Sequence, residues 1–171
     1  MLLPLLGVIA LVAQFAGVGA TSHPSRAKRE RTVTLATLPG GAVPDIGSTS
    51  VDATTVRAAK DETVRMAADV TVRARKLARG EAAQVVCGIR YSREGDAAWT
   101  LGTPYETVVL QGAGASERVS IDRSFTAPAA DRYRMSASCH VASPASGATV
   151  TARGRMRAHL GLPEGAATPV E

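Results

Sequence analysis

From Thr63 onward, apolar and polar side chains take turns along the chain. Val64, Met66, Ala68, Val70, Val72 and Ala74 alternate with Arg65, Ala67, Asp69, Thr71, Arg73 and Arg75. A period of two sustained over that length marks a strand with one buried and one wet face, and leaves little room for a helix. The pattern returns in Ala83, Val85, Cys87, Ile89 and Tyr91, then in Val119, Ile121 and Phe125, which Pro128 stops. It returns again in Tyr133, Met135, Ala137, Cys139 and Val141. A last run of Val150, Ala152, Gly154, Met156, Ala158 and Leu160 is opposed by Thr149, Thr151, Arg153, Arg155, Arg157 and His159. Two shorter candidates are Ala97–Leu101, which holds Trp99, and Tyr105–Leu110. Glycine-containing breaks at Ser92–Asp96 and Gly112–Ser116 read as turns, the second as a hairpin loop. Seven alternating strands joined by short loops predict an all-β fold, an antiparallel two-sheet sandwich over residues 63–160.

What precedes Thr63 is of a different kind. Residues 1–20 form an uncharged apolar run ending in small side chains, and Val18 and Ala20 suit a signal-peptidase site that would make Thr21 the mature start. No basic residue precedes the run, and Arg26, Lys28, Arg29 and Arg31 follow it, a distribution that also fits an N-terminal anchor. Residues 21–62 read as a tether: a polar basic start, one short strand within Arg31–Leu38, a Gly- and Pro-rich linker from Pro39 to Ser50, and an ambiguous stretch from Val51 to Lys60. The last residues, 161–171, carry no pattern and are expected to be disordered.

Two cysteines in an exported chain read as one disulfide, Cys87–Cys139, because each sits on the inward face of its strand. Closing a loop of that size stabilises by about 4 kcal/mol on the chain-entropy account. Their spacing, with no further ligands nearby, fits neither a redox CxxC nor a zinc site.

The order Cys87, Trp99, Cys139 resembles that of immunoglobulin-like domains, with the first cysteine on strand B and the tryptophan on strand C. The segment Phe125–Val141 is similar to the passage from strand E to F that ends in the second cysteine. The resemblance covers residues 63–160 and implies an immunoglobulin-like or fibronectin-like sandwich. In such domains a tyrosine stands two residues before the second cysteine; this chain has Ala137 there, and Tyr133 lies six before it.

Composition adds a charge and removes most chemistry. The formal net charge is +5, and arginine supplies 17 of the 20 basic residues. The complete lack of asparagine excludes N-glycosylation and, with abundant Ala, Gly and Val, points to a GC-rich genome that inflates the arginine count. His23 falls in the tether, while His140 and His159 take outward strand positions and read as surface histidines. No nucleophile motif, phosphate loop, calcium loop or metal-ligand spacing occurs, so the sequence points to no catalytic residue, metal or cofactor.

The arginines are the one positive lead. Arg65, Arg73 and Arg75 share the outward face of the first long strand, and Arg153, Arg155 and Arg157 that of the last. If those strands are neighbours, the two rows merge into a basic strip of planar, bidentate donors suited to carboxylate or phosphate. An anionic cell-wall polymer, a lipid surface or an acidic protein would fit it. Scarce aromatics and export both argue against nucleic acid. Outward charge that keeps strands from aggregating is the competing explanation of the same residues. The resulting expectation is a secreted or envelope-tethered, non-enzymatic binding or structural module, the alternative a secreted hydrolase or protease inhibitor with an unmarked active loop. Nothing in the pattern specifies an oligomeric state.

Overall fold

A computed structural model of the chain describes residues 30–38, 47–145 and 147–161. The leader of residues 1–20, the basic part of the tether and the tail beyond Gly161 lie outside the described residues. The described residues form eight strands: β1 (Val33–Thr34), β2 (Thr49–Ala58), β3 (Thr63–Arg75), β4 (Ala82–Arg93), β5 (Thr100–Gln111), β6 (Ser116–Thr126), β7 (Asp131–Ser143) and β8 (Thr149–Leu160). They pair antiparallel into two four-stranded sheets, in the orders β1-β8-β3-β6 and β2-β7-β4-β5. The all-β sandwich and its disulfide are therefore as the alternation predicts.

The strand order is not that of an immunoglobulin domain. β1 pairs with β8, β2 with β7, β3 with β6 and β4 with β5. Nested pairs of this kind arise when one long hairpin rolls up into two sheets, which is the jelly-roll arrangement. Its connections mostly cross between sheets. The Gly112–Ser116 turn, expected as a hairpin loop, instead joins β5 of one sheet to β6 of the other.

Two boundaries differ from the sequence reading. First, the sandwich takes in β1 and β2, both from the stretch read as tether and linker. β2 alternates only weakly because many of its side chains are Thr, Ala and Ser, and Asp52 interrupts the pattern at a register shift. The Asp52 carboxylate accepts the backbone N–H of Met156, 2.9 Å away on β8. β1 covers β8 only near Thr151 and Ala152, so this N–H would otherwise sit unpaired at a half-covered edge. Second, the two short candidates around Gly102–Pro104 are one strand, β5. Between Cys87 and Ile89 on β4, its register skips from Glu106 to Gly102, so the proline is carried in a bulge. β5 is an edge strand, where a missing N–H removes no essential ladder bond.

Between the sheets lies the alternating set. Val64, Met66, Val70, Val72 and Ala74 of β3 are fully buried, facing Val85, Cys87 and Ile89 of β4 and Met135, Ala137 and Cys139 of β7. Each large aliphatic side chain so buried contributes about 1.5–3 kcal/mol. At one end, Phe125 of β6 stacks on Tyr91 at 3.9 Å and meets Tyr133 edge-on at 5.3 Å, so three rings bridge the two sheets. Burial, and then the nearby Tyr133, push the Tyr91 phenol above its usual range. The Tyr133 hydroxyl donates to the Ala129 carbonyl at 2.7 Å. That is a tyrosine clasping the backbone upstream of its own strand, four residues from where the immunoglobulin pattern would put it.

The disulfide joins register partners. Cys87 and Cys139 stand opposite each other on β4 and β7, with Cα atoms 4.2 Å apart, so the bridge staples one sheet where immunoglobulin domains link two. Trp99 does not pack against it. The indole lies outside the core, with the Arg90 and Arg134 guanidiniums 4.9 and 5.2 Å from its ring centre.

The packing can be tested at two points. A Cβ added at Gly154 of β8 would lie 2.5 Å from the Asp69 carbonyl oxygen and 3.0 Å from the Val70 Cα, both backbone atoms of β3. Gly154→Ala should therefore destabilise by about 1–3 kcal/mol in urea unfolding, outweighing the gain alanine brings by stiffening the unfolded chain. A variant as stable as the parent would show that β3 and β8 can part without cost. Replacing both cysteines by alanine removes a link spanning 52 residues of sequence. It should lower stability by about 2–4 kcal/mol, read as a shift in the urea midpoint under non-reducing conditions.

Candidate anion-binding face

The outer face of the β1-β8-β3-β6 sheet is built by the same alternation that fills the core. Every second residue of β3 and β8 points to solvent, and their antiparallel register sets those residues side by side. Arg65 lies opposite His159, Ala67 opposite Arg157, Asp69 opposite Arg155, Thr71 opposite Arg153, Arg73 opposite Thr151 and Arg75 opposite Thr149. Each of these six rows carries an arginine, and the two runs of guanidiniums join end to end. Steps of two residues are about 6.8 Å, so the ladder extends for about 34 Å. All six arginines singled out from the sequence are exposed, and the fold brings them together on one face.

β6 extends the rows on one side with Ser124, Asp122, Ser120, Arg118 and Ser116. Arg118 was missed in the sequence because nothing local says that β6 lies beside β3. The Ser116-to-Ser124 alternation was legible, but its neighbour was not.

Charges on the face are partly balanced. Arg155 pairs with Glu30 at 2.8 Å, and Arg118 pairs with Asp69 at 3.1 Å. Ser120 donates a second hydrogen bond to the same Asp69 oxygen at 2.8 Å. Among the described residues, no ion pair holds Arg65, Arg73, Arg75, Arg153 or Arg157. Three of these, Arg73, Arg75 and Arg153, line a depression of about 260 Å³ together with the hydroxyls of Thr71, Thr151 and Ser116. Guanidiniums and hydroxyls converging on one hollow make a lining rich in donors, which suits a tetrahedral or carboxylate anion. Arg65 lies at the other end, beside a groove of about 560 Å³ that also involves Asp122, Arg123 and Phe125.

The histidines divide. His159 is exposed as expected, whereas His140, expected at the surface, is fully buried although its strand position points outward. Its Nδ1 lies 3.1 Å from the Ser48 hydroxyl, and Ser50, Ser136 and Ser138 form a hydrogen-bonded cluster on that face. A Ser–His contact invites a nucleophile reading, but both residues are buried and the pair stands as an internal hydrogen bond. Among the described residues, no three His, Cys, Asp or Glu side chains group in a way that could hold a metal ion.

Asp69 is the carboxylate of the face held by both a hydroxyl and a guanidinium. The Ser120 hydroxyl and then the Arg118 guanidinium hold its carboxyl below the usual carboxylate range; burial opposes them, and the fields of Arg118 and last of Arg157 add smaller contributions. A carboxyl depressed in the folded state adds stability above its unfolded pKa and loses it as pH falls through the lowered folded value. In a carboxyl NMR titration, Ser120→Ala should move the Asp69 midpoint upward towards the ordinary value. A midpoint that stays put would show that the arginines alone set it. The cost in stability should stay within about 1 kcal/mol, because the pair is exposed to solvent.

No family model matches the chain, and no curated protein matches its sequence. Among solved structures, the chain is similar to one described as "EclA C-terminal domain; sugar-binding protein", with 17% identity over 85% of this chain and 89% of that one. The TM-score is 0.34, which does not establish a common fold.

Proposed function

We propose that this chain is an exported, non-enzymatic binding module whose outer β1-β8-β3-β6 face holds an anionic surface or polymer. The observation that carries the reading is the unbroken ladder: every row where β3 meets β8 along that face presents a guanidinium. Codon bias raises the number of arginines in a chain but does not align them in consecutive rows of one face. Edge protection accounts for Arg153, Arg155 and Arg157, because β1 covers β8 only at Thr151 and Ala152, but not for Arg65, Arg73 and Arg75 of β3, which lies between β8 and β6. The Cys87–Cys139 bridge supports an oxidising, extracytoplasmic setting. Among the described residues, no helix is long and apolar enough to cross a membrane.

The mechanism is electrostatic capture followed by bidentate hydrogen bonding. Unpaired guanidiniums at both ends of the ladder attract an anion over roughly a Debye length, about 8–10 Å at moderate salt. Docked oxygens then exchange water for the planar N–H forks of Arg73, Arg75 and Arg153 and the flanking threonine hydroxyls.

The test is retention on phosphocellulose at low salt. Arg153→Glu, Arg155→Glu and Arg157→Glu together should elute at much lower salt than the parent. The matched reversal of Arg57, Arg79 and Arg132, outside the ladder, should elute close to it once net charge is allowed for. Each ladder arginine is worth on the order of 1 kcal/mol against an anionic surface. Equal shifts for the two triple variants would sink the reading and leave solubility as the role of the arginines. Circular dichroism checks that both variants remain folded.

A further inference from the structure

The ladder is narrow, and that narrowness selects among anionic partners. Along β8 and then β3, the guanidiniums of Arg157, Arg155, Arg153, Arg73 and Arg75 run in file, one per row, and the second guanidinium of the Arg153 row, Arg118 of β6, is held by Asp69. Carboxylates border the file. Glu30 stands on the β1 side against Arg155, and Asp69 and Asp122 stand on the β3 and β6 side in the rows of Arg155 and Arg157. These are not buried charges: the Asp69 side chain is 43% exposed and that of Glu30 35%. A flat anionic surface laid over the face would have to cover these carboxylates together with the guanidiniums they offset, and would gain less per unit area than along the file. A thin chain lying along the file would touch the guanidiniums and pass between the acids. Hydroxyls of Thr71 and Thr149 adjoin the same file and can donate to uncharged oxygens between the charges, while that of Thr151 donates to the Arg73 carbonyl at 3.4 Å.

Resting on the anion-binding reading of this face, we infer that its ligand is a linear polyanion, with one negative group per repeat, bound parallel to β3 and β8. A membrane or other planar anionic surface is disfavoured by the bordering carboxylates. Each added repeat engages the next row, so the interaction is multivalent along one axis. The number of rows sets its natural length at about six charges, at about 6.8 Å per step.

The probe is a series of propanediol phosphodiester oligomers, which carry one negative charge per repeat and no bases, in lengths of about two, four, six and ten phosphodiesters. Calorimetry of the full chain should show affinity rising steeply, on the order of tenfold or more, from two to six, then rising only by the statistical factor to ten. The salt dependence should steepen over the same range and then level off, as the number of released counterions does. Arg73→Gln with Arg75→Gln removes two rows from one end and should move the plateau from about six to about four phosphodiesters. Arg57→Gln with Arg132→Gln, register partners in the other sheet, should leave the length profile unchanged. A flat length profile overturns the inference, as does stronger binding per charge to phosphatidylglycerol vesicles than to the longest oligomer. If either occurs while the ladder reversal still abolishes phosphocellulose retention, the anion-binding function stands and only the linear ligand falls. If that reversal has no effect of its own, both fall together.

Discussion

The register of β3 against β8 is the constraint on which this structure rests. Both strands alternate strictly, so one pairing decides two surfaces at once. With Val70 opposite Gly154 and Val72 opposite Ala152, the apolar set of both strands faces the second sheet, and the arginines of both face water. A slip of one residue would turn either strand over, burying guanidiniums and exposing valines. Such a slip costs far more than a few kcal/mol, because several buried aliphatic side chains and several charges exchange places. Gly154 sharpens the constraint, since that position tolerates no side chain against the β3 backbone. The core therefore aligns the ladder, and the ladder owes nothing to loops.

The second sheet is held differently. There the central strands β4 and β7 are tied covalently at Cys87 and Cys139, and the cysteines point into the core towards the first sheet. Its outward face is not simply wet: His140, Ser136 and Ser138 are buried, the two serines hydrogen-bonded to each other, while Trp99 lies over Arg90 and Arg134. One sheet thus offers an open charged face and the other a polar face that is largely closed. Among the described residues, the long run of exposed guanidiniums in consecutive rows stands on the β1-β8-β3-β6 side.

How much of this was legible in the chain depends on range. Local alternation identified five of the long strands because a half-buried strand writes a period of two into its own residues. It failed where the pattern was diluted. Most of β2 reads as ambiguous because Thr, Ser and Ala can occupy either face, and its inclusion in the sandwich rests on pairing with β7, far along the chain. β5 broke into two pieces at Gly102–Pro104, residues that usually end a strand and here sit in an edge bulge. The disulfide was legible from inward phase, yet whether it joins one sheet or two depends on topology, which phase does not encode. The six ladder arginines were found by phase alone. Arg118, Glu30 and Asp122, which complete and border the same face, come from strands and segments whose adjacency only the fold reveals.

A row of guanidiniums on a folded sheet raises the question of why the free protein tolerates it. Two unit charges about 7 Å apart in water repel by about 0.6 kcal/mol, so a full file would carry a few kcal/mol of self-repulsion at low salt. The repulsion is greatest in the middle, where an arginine has neighbours on both sides. It is there, in the row of Arg155 and the next row at Arg118, that Glu30 and Asp69 make their ion pairs. Arg73, Arg75, Arg65 and Arg157 towards the ends, and Arg153 beside Arg155, are left without such partners among the described residues. This distribution relieves repulsion where it would be largest while leaving charge where a ligand could still gain from it.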